Sequence, residues 1–267
     1  MTGIIAFLVY GLAAVGCALA AAFVLRSDRT QRRDRAATAA ALTLSAVWCG
    51  AVAAVGNGSG PVQVLEILRN AAWIYALFRH FANDGRDETL RVVRPVVTAL
   101  LLVEALQLVL LVVARPVGAV VEVVALMRML VAVGALFLTH NLYGGASDSS
   151  RRLLAWPGAG LALFWFFELN LFTVAYLTGA AVVGLEVLRA VVMLAVAACF
   201  AIGAGQGAAG LSFRPSRAVT FSTLSLAVLA AYFVAMVALS NGAALLAGDL
   251  ARLTQVGFLL VAATASL

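Results

Sequence analysis

Long apolar runs alternate with short polar connectors along the whole chain, at about 3–25, 36–55, 62–81, 95–113, 117–139, 153–175, 178–203, 218–239 and 243–265. Each is close to the roughly 20 residues needed to cross a hydrocarbon core. Lipid cannot hydrogen-bond an open backbone, so runs of this kind are helical. The pattern predicts an all-α, polytopic membrane bundle of about nine transmembrane helices, with residues 1–267 forming one domain. Gly, Pro, Asn and Ser punctuate the connectors, as in "GNGSGP", "NLYGGASDSSRR" and "SNG", and mark them as turns.

The connectors also alternate in charge. Arg26, Arg29, Arg32, Arg33 and Arg35 crowd the first, and the second has none. Arg79, Arg86, Arg91 and Arg94 surround the third, while the fourth has only Arg115. Arg151 and Arg152 close the fifth, the sixth is bare, Arg214 and Arg217 sit in the seventh, and the eighth is bare. Short cytoplasmic loops collect basic residues. The odd connectors are therefore expected in the cytoplasm, the amino terminus outside and the carboxyl terminus inside. The last run ends in "VAATASL" without a closing loop or basic residue, so a cytoplasmic segment is expected after residue 267.

Composition narrows the class. The chain is 64% hydrophobic and 11% charged, against about half and about a quarter for a soluble domain. That leaves no room for a soluble domain of ordinary size. All 18 basic residues are Arg, and they lie beside apolar runs as topology signals do, so the net charge of +6 does not point to nucleic acid. Cys17, Cys49 and Cys199 fall in apolar segments and form no CxxC pattern or disulfide framework. "AVGC" at 14–17 loosely matches a lipoprotein cleavage site. No basic residue precedes it, so the first run reads as a retained anchor.

Charges recur where lipid is expected. Glu66–Arg69, Glu186–Arg189 and Asp249–Arg252 are spaced i, i+3, which puts both groups on one helix face; Glu122–Arg128 is looser and needs partners on other helices. The acids at 66, 122, 186 and 249 recur about once per helical hairpin, a hint of duplicated hairpins. All four pairs fall in the outer half of helices running inward. Glu104 with Gln107, and Glu168 with Asn170, add polar groups nearer mid-membrane. A charge at a helix centre costs about 2.5–3.5 kcal/mol on insertion scales, so these groups are expected to face one another inside the bundle. Two roles remain open: contacts that fix packing register, or a polar cavity for a ligand, lipid headgroup or proton.

Other features carry less. His80, His140 and Cys199 are expected near the inner ends of their helices, without spacing that defines a metal site. "WPGAGLALFWFFELNLF" gathers Trp156, Phe164, Trp165, Phe166, Phe167 and Phe172. Trp156 suits an interfacial belt, and the deeper cluster suits packing or a lipid- or ligand-facing wall. There is no HExxH, GxSxG or phosphate-binding glycine loop. No catalytic residue, metal or cofactor is expected in this chain.

"LEILRNAAW" (65–73), "SRAVTFSTLSLAVLAAYFVAM" (216–236) and "AGDLARLTQVGFLL" (247–260) resemble the amino-terminal membrane region of PrsK-type sensor histidine kinases of the exosortase/PEP-CTERM system of Gram-negative bacteria. The resemblance implies a sensory domain in the bacterial inner membrane. It also implies a kinase part after residue 267 with a GAF-like module, a dimerising phosphoacceptor helix pair and an ATPase domain, and a response regulator as partner. A homodimer is compatible with it. The polar cluster of Glu66, Arg69, Glu122, Arg128, Glu186, Arg189, Asp249 and Arg252, with Glu104 and Glu168, would be the sensory element. A secondary transporter or channel is the alternative.

Overall fold

Every apolar run as far as residue 205 folds as one helix. The structure, a computed structural model, describes residues 2–27, 34–81, 87–113, 118–146, 148–178 and 183–205. They form α1 (Thr2–Arg26), α2 (Arg35–Val55), α3 (Gly60–Phe81), α4 (Asp87–Val113), α5 (Gly118–Gly144), α6 (Asp148–Thr178) and α7 (Val183–Gly205). The expected spans at 218–239 and 243–265, with Asp249 and Arg252, lie outside the described residues, as do the second and third segments of the resemblance.

The helix bounds depart from the apolar runs where a helix outlasts its hydrophobic stretch. The helices α4 and α6 begin in polar sequence at Asp87 and Asp148 and carry Pro95 and Pro157 inside. Hydropathy marks where lipid starts, and a helix can begin before that point. The seventh run was expected from 178, but α6 continues to Thr178 and α7 starts at Val183. At the end of α2, Gly56 takes φ 82 and its N–H bonds Val52 O, a left-handed stop that glycine adopts without Cβ strain.

Among the described residues, six helices are long and apolar enough to cross a membrane: α1, α2, α4, α5, α6 and α7. The fold is a helical membrane bundle. The exception, α3, carries Gln63, Glu66, Arg69, Asn70, Arg79 and His80, and it can do so because so much of it is enclosed: Glu66, Arg69, Asn70, Trp73 and His80 are all buried. Large apolar side chains such as Ile4, Leu12, Leu102 and Phe166 stay exposed, as helices facing lipid require.

Each helix packs on the next, and α7 packs back on α1, closing a ring; α3 also reaches α5. The helices α1 and α7 run parallel in a constant register. Tyr10 OH donates to Glu186 O at 2.6 Å, Cys17 Sγ lies 3.8 Å from Met193 O, and Ser27 Oγ donates to Ala204 O at 2.9 Å. The antiparallel pair α2/α3 is tied by Trp73 Nε1 donating to Ser45 Oγ at 3.0 Å and by His80 Nδ1 against Asp34 Oδ2 at 2.7 Å. Between α6 and α7, small residues let the backbones approach. A Cβ at Gly203 would meet the Pro157 ring at 2.8 Å, and one at Gly160 would meet Cys199 Cβ at 3.1 Å.

Candidate functional site

Two kinds of core fill the bundle at different heights. Toward the end where α1 finishes, Trp73 stacks between Phe164 and Phe200 with ring centroids 5.8 and 4.9 Å away, and His80 lies beside Phe200. Toward the end where α1 starts, the core is ionic. Counted from the nearest helix ends, Glu66, Arg69, Arg128, Glu168 and Arg189 sit about 9–15 Å deep at 1.5 Å per residue.

These five residues form one chain of alternating charge across four helices. Arg128 Nη1 of α5 donates to Glu66 Oε1 of α3 at 3.1 Å. The same oxygen accepts from Arg189 Nη2 of α7 at 2.5 Å. Arg189 also grips Glu168 of α6, through Nε to Oε1 at 2.7 Å and through Nη2 to Oε2. Glu168 Oε1 then accepts from Arg69 Nη2 of α3 at 3.1 Å. Arg69 closes the chain on its neighbour Asn70, donating to Oδ1 from Nε and Nη2. Glu66, Glu168 and Arg189 are 2% exposed and Arg69 is fully enclosed. Charges this deep persist because each faces an opposite charge and a hydrogen bond.

Aromatic faces complete the enclosure. The Trp48 ring lies 4.1 Å from the Arg69 guanidinium and 4.7 Å from that of Arg189, so one indole packs against two cations. Phe172 does the same for Arg128 at 4.7 Å and Arg189 at 5.6 Å. Arg is suited to this double duty, since its planar group bonds carboxylates at the edge and aromatic rings on the face. Trp48 itself meets Tyr10 edge-on at 5.8 Å, linking the network to α1.

The ten expected site residues therefore divide. Glu66, Arg69, Arg128, Glu168 and Arg189 meet directly. The i, i+3 spacing put Glu66 and Arg69 on one side of α3, yet they pair with other helices rather than with each other. Glu186 stands nearer the bundle end, bonded by Asn57 Nδ2 through Oε2, and does not bond Arg189. Glu122 is exposed on α5, apart from the network. Glu104 is buried on α4 near Arg128, Glu66 and Arg69, with the Asn70 side chain as its hydrogen-bonding neighbour, but neither of its oxygens makes a full hydrogen bond among the described residues. Asp249 and Arg252 lie outside the described residues.

Nearby polar residues have other roles. Asn170 is exposed and bonds Phe166 O of its own helix. His80 pairs with Asp34 and His140 is exposed; among the described residues no three His, Cys, Asp or Glu side chains converge as a metal site. Trp48, the clamp between two guanidiniums, was missed by sequence reasoning. Its one signal is size, a single large side chain in the small-residue stretch "SAVWCGAVAAV".

Comparison of the chain with known protein families, curated proteins and solved structures gives no match.

Proposed function

We propose that the chain is the membrane-embedded sensory region of a two-component histidine kinase in the bacterial inner membrane. In this reading it spans nine times, with its amino terminus outside and its carboxyl end joined to a cytoplasmic kinase part that signals to a response regulator. The observation that carries the reading is the charge chain Arg128–Glu66–Arg189–Glu168–Arg69, which ties α3, α5, α6 and α7 at one level. The segment 65–73, on which the kinase resemblance partly rests, holds two of its members. Moving any one of these helices breaks a buried ion pair, so the network favours discrete packings over gradual deformation. A signal at the outer half of the bundle shifts the balance between packings by its differential affinity for them, and the last helix passes the change to the kinase.

The test is autophosphorylation of the full-length protein in proteoliposomes. Arg189→Leu and Arg252→Leu are expected to fix the output high or low in protein that still folds. Unchanged output in folded variants contradicts the reading. A secondary transporter or channel is the second reading, favoured by the buried acid Glu104, which no guanidinium bonds among the described residues. Proton or sodium flux in proteoliposomes that is lost in Glu104→Gln would establish it.

A further inference from the structure

Glu104 and Gln107 stand three residues apart on α4, and so share one face of it. Each is 1% exposed. Among the described residues neither side-chain polar atom of Gln107 has a hydrogen-bond partner, Arg69 Nη1 is also unmatched, and no full hydrogen bond reaches either carboxyl oxygen of Glu104, whose polar neighbour is the Asn70 side chain. Folded proteins satisfy nearly all buried polar groups. Two neighbouring side chains turned into the bundle, with bonding capacity that the described residues leave unused, therefore offer a place where a ligand's polar head can bond.

The adjoining helix is open at this level. Residues 123–128 of α5 are all half-exposed, whereas buried positions recur from Met129 to Leu142. Six consecutive residues cover every face of a helix at 3.6 per turn. This stretch is therefore loosely covered toward the bundle as well as toward lipid. Arg128 stands at its foot, with its side chain 14% exposed.

We infer that the flank between α4 and α5 takes an uncharged, lipid-soluble ligand whose head carries hydroxyl or carbonyl groups, held by Glu104 and Gln107. Charge argues for neutrality. The guanidiniums of Arg69, Arg128 and Arg189 already face three acids, Glu66, Glu168 and Glu104, and a further ion would unbalance a set enclosed in low dielectric. Hydrogen bonding argues for the head group. Gln107 offers a donor to a carbonyl and an acceptor for a hydroxyl, and Glu104, ionised in this balance, accepts from a hydroxyl. Depth argues for arrival through lipid. Glu104 lies about 14 Å from the end of α4 at 1.5 Å per residue, beside exposed Leu102 and Leu106. Quinones, quinols and diacylglycerols share this chemistry. The inference rests on the polar groups of α4 and does not depend on the signalling reading.

The experiment uses the full chain in phosphatidylcholine nanodiscs, offered decylubiquinone, decylubiquinol or dioctanoylglycerol, with bound ligand counted by native mass spectrometry. Saturable binding of one ligand per chain is expected, weakened about ten-fold or more by Gln107→Leu and by Glu104→Leu, as loss of one or two hydrogen bonds implies. Val112→Ala, exposed about two turns further along α4, should leave binding unchanged. Binding of the quinone pair alone would identify a redox lipid, and binding of dioctanoylglycerol alone a glyceride; either supports the inference. No saturable binding of any of the three, or equal binding by a Gln107→Leu protein whose circular dichroism melt is normal, overturns it. Gln107→Leu replaces an orphan amide with an apolar side chain of similar size, so it is not expected to compromise folding.

Discussion

Glu168 and Glu104 are the same residue type, almost equally buried and at similar depth, yet the bundle treats them differently. Glu168 takes hydrogen bonds from Arg69 and Arg189 on two other helices. Among the described residues Glu104 takes none at full hydrogen-bond geometry, with the Asn70 side chain as a polar neighbour, and Gln107 on the same helix has no partner. The difference lies in what each helix faces. On its polar side α6 meets α3 and α7, which bring guanidiniums to it. The nearest guanidinium to α4 along α5 is Arg128, and Glu66 already holds it. One acid is thus consumed in holding helices together, while the other is left with bonding capacity to offer. Burial alone does not distinguish a structural charge from a binding group; partnership does.

That contrast can be broken most severely at Arg189, the hub between Glu66 and Glu168. Arg189→Leu leaves two buried carboxylates short of their counter-ion. It should cost about 3–5 kcal/mol, the usual penalty for removing one partner of a buried pair, read from reversible unfolding in mixed micelles. Trp48→Leu keeps an apolar filler but removes an indole from two guanidiniums. A loss of about 1–3 kcal/mol is expected by the same measurement, combining cation–π and packing contributions.

On the other side of the contrast the sign should reverse. In micelles without added ligand, Gln107→Leu removes orphan groups whose burial costs about 1–3 kcal/mol. It should leave stability equal or raise it by about 1 kcal/mol; a large loss would mean that Gln107 has a structural partner. The smallest effect is expected at Glu122. It is exposed on α5, and Glu122→Gln should stay within about 0.5 kcal/mol of the parent. A larger change would draw it into the network.

Much of this was legible in the sequence, for reasons visible in particular residues. Apolar runs locate helices because lipid permits little else, and the helices to residue 205 lie within a few residues of the runs that announced them, apart from α4, α5, α6 and α7, whose ends differ by up to eight residues. Buried charge is costly, so Glu66, Arg69, Arg128, Glu168 and Arg189 stood out against their surroundings before any packing was known. Partner choice was not legible. Spacing says which face of α3 carries Glu66 and Arg69, but only the arrangement of helices makes one bond Arg189 and the other Glu168. The separation of Glu104 from the network was hidden for the same reason, since nothing local distinguishes "LVEALQL" from "FFELNLF" as a setting for an acid. Trp48 escaped because an indole in an apolar run looks like packing until two cations are found against it.

The most direct test of the shared ionic interior is a double-mutant cycle between Arg189 and Glu168, using Arg189→Leu, Glu168→Leu and the pair, with unfolding free energies measured in mixed micelles. The network predicts strong non-additivity, with a coupling of about 1–3 kcal/mol and a double variant less damaged than the sum of the singles. Additive losses would mean that the two side chains do not share a bond, and the account of a charge chain joining α3, α5, α6 and α7 would be wrong.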